Sequence, residues 1–198
     1  MELSLREKAI GFMISPEKTF NRVIEEDFVE SVKYFLVLDL IFSLLLTMIT
    51  VAFLSWVPSI GFLGFVIFFV FFTGAILGQL IFGIWTHIWI YILGGRQGID
   101  ETLKAVFYGY TPTLLIGWTI IGLFIGGMWS MLSQITGIAT LQKISTGKAL
   151  LGYIVSMGMI FMIVYGIFFI FMSVIIMTAG PAMMNSGNTF PLESALQL

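Results

Sequence analysis

The feature that most restricts this chain is a succession of long apolar runs between Val32 and Thr178. The first, Val32 to Trp56, holds about 25 residues, and at about 1.5 Å per helical residue it exceeds the roughly 30 Å hydrocarbon core of a bilayer. It contains a single acid, Asp39. In lipid a segment must satisfy its own backbone N–H and C=O groups, which a helix does, so the expected fold is an all-α integral membrane protein. A mean hydropathy of +1.05 with 10% charged residues agrees. The 11 acidic and 9 basic residues are too balanced for a nucleic-acid partner or a polybasic lipid-binding patch. Without cysteine, disulfides, zinc-thiolate sites and thiol catalysis are excluded. Membrane lipids are the expected partners, and no cofactor is called for.

Residues 1 to 31 read as a cytoplasmic N-terminal segment of short amphipathic helices. They contain no short apolar run followed by a small-residue cleavage site, so no signal peptide is expected. Ser4 and Glu7 have the spacing of a capping box, in which each side chain satisfies a backbone donor of the first turn. Ser15-Pro16 repeats the start signal, because proline in a first turn forfeits no hydrogen bond. Phe20, Val23 and Ile24 then share a face away from Glu17, Asn21, Arg22 and Glu25. Such a segment either lies in the headgroup boundary or packs onto the ends of the membrane helices; the pattern leaves both open.

The membrane domain is expected over residues 32–178. A second span covers Phe65 to Leu93 and ends in Trp85, Trp89 and Tyr91, aromatic residues suited to an interface. A third runs from Ala105 to Ile125, and Gly126-Gly127 then permits a tight reversal. The fourth, Met128 to Gln142, has only about 15 residues, so it is shielded by neighbours, tilts little or begins earlier. The last extends from Ala149 to Thr178, leaving residues 179–198 as an external tail. Without the reversal the count falls to four. Basic residues of short loops stay cytoplasmic, and that rule decides between the counts. With five spans and the N-terminus inside, Arg6, Lys8, Lys18, Arg22, Lys33, Arg96, Lys104, Lys143 and Lys148 all fall inside. Five transmembrane helices are therefore expected, with the C-terminus outside.

Between the second and third spans, Gly94 to Pro112 combines charge, turn residues and aromatics. Gly94 and Gly95 are expected to end a helix at positive φ, and Asp100 to cap the next one, which holds Glu101 and Lys104. Tyr108 and Tyr110 would sit at headgroup level, and Pro112 would kink the third span. A cytoplasmic re-entry turn explains each residue; a docking surface for a protein or headgroup is the functional alternative. Inside the membrane, Asp39 and His87 lie about 10 Å from the same face and could meet, to relay a proton or bind a cation. Fixing helix register near a wet cytoplasmic end is the preferred reading, since the pair is off the midplane. Gln79 and Gln134 are deeper and read as modest interhelical glue, with nothing placing them on a shared path. Gly74/Gly78 and Gly122/Gly126 have small-x-x-x-small spacing, for which internal packing outranks self-association in a chain with 21 glycines. A lone His with no Cys argues against a metal site, and no P-loop, nucleophile elbow or His-Glu-x-x-His pattern is present.

In order along the chain stand Pro16-Glu17-Lys18-Thr19-Phe20 and Gly94-Gly95 with Gly98 and Glu101. Tyr108-Gly109-Tyr110-Thr111-Pro112 and Ser145-Thr146-Gly147-Lys148-Ala149 follow. Together with five apolar spans, this order resembles the Yip domain family, whose eukaryotic members are known as Ypt/Rab-interacting proteins. Two departures stand out: there is no long cytosolic N-terminal region, and of the family's Asp-Leu-aromatic-Gly-Pro motif only Asp39-Leu40 remains. That compact form resembles the archaeal and bacterial branch, in a prokaryotic cell membrane. The resemblance implies a non-enzymatic role in membrane organisation or as an adaptor, while Rab binding does not carry over. The alternative is a small transporter or proton-linked permease using Asp39 and His87.

Overall fold

The computed structural model describes residues 3–187, with side chains to Thr178, and the regular elements among them are all helices. Two short helices, α1 (Leu5–Ile14) and α2 (Pro16–Arg22), precede the long α3 (Phe28–Phe53) and α4 (Ile60–Ile92). Then follow α5 (Ile99–Gly109), α6 (Thr111–Ile116), α7 (Ile120–Leu141) and α8 (Thr146–Gly187). Helices α3, α4, α7 and α8, the last over Thr146–Thr178, are long and apolar enough to cross a bilayer. The chain forms two units, one ending at Ser156 and one starting at Met157. The described part of the second is the continuation of α8; the packing below belongs to the first.

Gly126 and Gly127 do not make the expected reversal, because α7 runs through both. The chain turns at Gly117-Trp118-Thr119 instead, where the Thr119 hydroxyl accepts from the Gly122 N–H at 3.0 Å and caps α7. Helix α7 thus has 22 residues, not about 15. Gly126 serves a close approach: a Cβ there would stand 3.1 Å from the Pro112 carbonyl oxygen. Nor is there one helix from Ala105 to Ile125. Tyr110 separates α5 from α6, and Pro112 falls in the first turn of α6, where its missing N–H leaves no bond unmade.

Helices α5, α6 and α7 form an antiparallel hairpin whose register can be followed pair by pair. Gln142 donates to Gly98 O at 2.6 Å, Gln134 to Val106 O at 3.2 Å, and the Thr113 N–H to the Ser130 hydroxyl at 3.0 Å. At Gly109 the backbones nearly touch, since a Cβ there would lie 2.8 Å from the Gln134 backbone N and Cα.

Burial is concentrated at the end that carries the charges. In α3 the buried side chains run from Ser31 to Ser43, and in α4 all but Gly64 fall between Gly83 and Ile90. The other halves of these helices expose large apolar side chains such as Met48, Phe53, Phe62 and Phe65, as lipid-facing surfaces do.

The N-terminal pair packs onto this end of the bundle. Phe12 of α1 and Phe20 of α2 are fully buried with rings 4.8 Å apart, and Phe12 stacks on Tyr108 at 5.1 Å. The Lys8 ammonium meets Glu26 at 2.7 Å beside the Tyr108 ring, and the Tyr108 hydroxyl donates to Glu26. Tyr108 is therefore core, not a headgroup anchor. Burying each phenylalanine contributes about 1.5–3 kcal/mol. The Ser4–Glu7 capping box forms, with Ser4 N–H donating to Glu7 Oε2 at 2.9 Å. That backbone bond, with the Ser4 hydroxyl, holds the Glu7 carboxyl below its ordinary pKa. Ser15 starts α2 without a side-chain cap bond.

Two glycines of α7 separate packing from turning. A Cβ on Gly137 would stand 2.4 Å from the Phe20 ring, whereas one on Gly127 would meet nothing within 4 Å. Gly137→Ala should lower thermal stability in detergent by about 1–3 kcal/mol, the usual cost of overpacking. Gly127→Ala should leave it unchanged or raise it by up to about 1 kcal/mol, as an added helix former does; a marked loss would mean that the chain turns there after all.

Candidate functional site

Helices α3, α4, α7 and α8 and the α5–α6 joint each contribute a polar side chain to one interior layer. Gln134 of α7 is its centre. Its amide nitrogen donates to Gln79 Oε1 of α4 at 3.2 Å, and its Oε1 accepts from the Tyr153 hydroxyl of α8 at 2.7 Å. The Tyr110 hydroxyl, at the α5–α6 joint, lies near the Gln79 side chain and near Asp39 of α3. The two glutamines, which the sequence left unconnected, thus share one path. Tyr153 was missed because one aromatic in an apolar run has the composition of a lipid-facing residue; it is buried.

Asp39 is fully buried. Its Oδ1 accepts from Ser43, one turn on, at 3.3 Å, and its Oδ2 has no protein partner. His87 is tied elsewhere: its Nδ1 is 2.8 Å from the Thr102 hydroxyl. Among the described residues no hydrogen bond or ion pair joins Asp39 to His87. The Thr102 hydroxyl also accepts from Gln142 at 3.0 Å, so His87 belongs to a second cluster that fastens α4, α5 and the end of α7. Thr86 and Ser156, 2.8 Å apart between hydroxyl oxygens, and the Trp85 indole donating to Ser156 O at 3.1 Å, do the same for α4 and α8.

The stretch from Gly94 to Pro112 divides into an outward and an inward part. Gly94 and Gly98 have positive φ, +106° and +98°. Gly95 does not, and its place is fixed by crowding: a Cβ would meet Ile90 at 2.6 Å and Gln142 Oε1 at 2.9 Å. Gly98, not Asp100, occupies the position before α5, and Asp100 lies in the first turn. Arg96, Gln97 and Asp100 are exposed, with the Arg96 guanidinium 3.7 Å over the Tyr91 ring. Glu101 faces inward enough to pair with Lys104 at 3.0 Å, and the buried Lys104 also donates to Ile24 O at 3.1 Å. Tyr108, Tyr110 and Pro112 belong to the interior. Among the described residues no group of three or more His, Cys, Asp or Glu side chains is placed to hold a metal ion.

Apolar helices long enough to cross a bilayer, joined by a polar layer and closed at one end by an aromatic dock, define a polytopic α-helical membrane protein. The chain matches the family model of the Yip1 domain over residues 10–168, and it belongs to that family. No curated protein and no solved structure matches it.

The layer makes Gln134 and Tyr153 energetically dependent. Gln134→Leu leaves the Tyr153 hydroxyl and Gln79 Oε1 unpaired in a low-dielectric interior and should cost about 1–3 kcal/mol in detergent unfolding. Tyr153→Phe should cost about 1 kcal/mol alone and close to nothing in the Gln134→Leu background. Additive effects of the two changes would show that the bond contributes nothing.

Proposed function

We propose that this protein is a non-enzymatic membrane scaffold or adaptor of the Yip type. It would cross a prokaryotic cell membrane five times, with its N-terminus in the cytoplasm and its C-terminus outside. The antiparallel register of α5–α6 against α7 supports the fifth crossing. If α7 traverses the bilayer, the broken helix from Ile99 to Ile116 must run back beside it, although neither piece alone is long enough to span. In this arrangement all nine basic residues stay on one side, as the bias of short loops towards the cytoplasm requires.

The observation that carries the scaffold reading is the confinement of tight packing to the charged end. There the N-terminal helices, the Gly94–Gly98 loop and the ends of α7 and α8 are locked into one surface. Polar side chains within the membrane mostly spend their hydrogen bonds on one another, which suits register more than passage. The exposed Arg96, Gln97 and Asp100 are the part of the hinge open to a protein partner, while Glu101, Tyr108, Tyr110 and Pro112 support it from within. Self-association stays secondary. Gly126 of the Gly122/Gly126 pair is used internally against Pro112, whereas Gly74 and Gly78 would meet nothing within 4 Å.

A second reading, a small transporter or proton-linked permease using Asp39 and His87, is favoured by one observation, the unpartnered Asp39 Oδ2. Their separate hydrogen-bond partners weigh against a relay between them. Reconstituted in liposomes, the wild type and Asp39→Asn should show the same absence of proton and cation flux; flux that vanishes in the variant would replace the scaffold reading. Single cysteines put into this cysteine-free chain report the crossings. Labels replacing Arg96 and Lys143 should react from the cytoplasmic side, and one replacing Trp118 from the outside.

A further inference from the structure

Helices α1 and α2 are joined at Ser15-Pro16 into a hairpin, and its position along α7 is fixed by a bond that crosses between them. The Trp129 indole N–H donates to the backbone carbonyl of Met13 at 3.0 Å. Trp129 stands about 18 Å from the Leu141 end of α7 and about 13 Å from the Ile120 end, counting roughly 1.5 Å per residue. The last turn of α1 is therefore level with a turn inside α7 and not with its Leu141 end. The same region of α7 exposes Ile125, Met128 and Leu132, which face lipid if α7 crosses. Ile10 and Ile14 of α1, in the helix that this bond ties to Trp129, are likewise 47% and 73% exposed.

Part of the backbone at the hairpin tip is satisfied within the protein. The last carbonyls of a helix lack intrahelical donors, and outside water each unsatisfied one is costly. Here Gly11 O accepts from the Ser15 N–H at 2.8 Å, Met13 O from Trp129, and Ser15 O from both the N–H and the hydroxyl of Thr19. Pro16 has no N–H to satisfy. Glu17 and Lys18 follow immediately and are exposed, which keeps the tip within one leaflet.

We propose that α1–α2 is a re-entrant hairpin seated in the cytoplasmic leaflet, with Ile10, Met13 and Ile14 against acyl chains. Its partner is the lipid of that leaflet. Because it occupies area in one leaflet only, it acts as a wedge and favours membrane curved towards that side. The proposal rests on the scaffold reading in taking α7 as membrane-crossing, and it supplies the physical means of membrane organisation.

The test uses the full chain in lipid. A spin label on Ile14→Cys should collide more often with lipid-dissolved oxygen than with an aqueous nickel chelate, while a label on Gln97→Cys in the exposed loop shows the reverse. On membrane tubes pulled from flat bilayers, the wild type should be enriched on the tube. Ile10→Asn/Ile14→Asn should lose the enrichment and keep its thermal stability, since both side chains point away from the Phe12–Phe20 dock. An aqueous profile at position 14, or tube enrichment that survives the double substitution, overturns the wedge. Neither result touches the crossings, which the labels at the loops read separately.

Discussion

The contact on which the rest depends is the approach of α5 to α7 at Gly109. There the helix backbones come within van der Waals reach because one side chain is missing; any Cβ at that position would overlap Gln134. In lipid no hydrophobic force draws apolar helices together, so close packing and interhelical hydrogen bonds must do so, and small residues are what permit both. With α5 held there, Gln134 reaches Gln79 on one side and Tyr153 on the other. Tyr110, the next residue, is brought beside Asp39. One turn of chain sets the register of the whole layer.

The same approach organises the charged end. Tyr108 precedes Gly109, and its ring forms the floor on which Phe12 stacks and against which Tyr34 tilts, 5.2 Å away. Gly137, one turn towards the charged end from Gln134, leaves room for Phe20. Lys8, Glu26 and Tyr108 then satisfy one another at the edge of the dock, where water is scarce and an unpaired charge would be costly. The polar layer and the aromatic dock are consecutive turns of one helix pair. This is why the N-terminal hairpin, though remote in sequence, is part of the membrane domain's fold.

Asp39 is the exception to this mutual satisfaction. One of its carboxylate oxygens has no protein partner, whereas Gln134, Gln79 and Tyr153 of the same layer are paired. It marks where the scaffold and transport readings part. His87, the other ionisable group in the long helices that sequence singled out, is occupied by Thr102 and works with Gln142 to fasten the hinge.

By itself the sequence determined the class of fold, the capping box at Ser4 and the family, because length and polarity of apolar runs and short ordered motifs act locally. It did not determine where the middle of the chain turns. Gly126-Gly127 has the composition of a turn, yet its glycines are used inside a helix for close packing, and the reversal falls at Gly117-Trp118-Thr119, which carries a weaker signal. Asp39 and His87 share a depth, but depth along a helix says nothing of the direction in which a side chain points. The link between Gln79 and Gln134 was invisible for the same reason. Only tertiary structure decides which faces meet, since in a membrane that choice rests on interhelical fit at a few glycines and on which polar atoms find partners, neither of which an apolar run records.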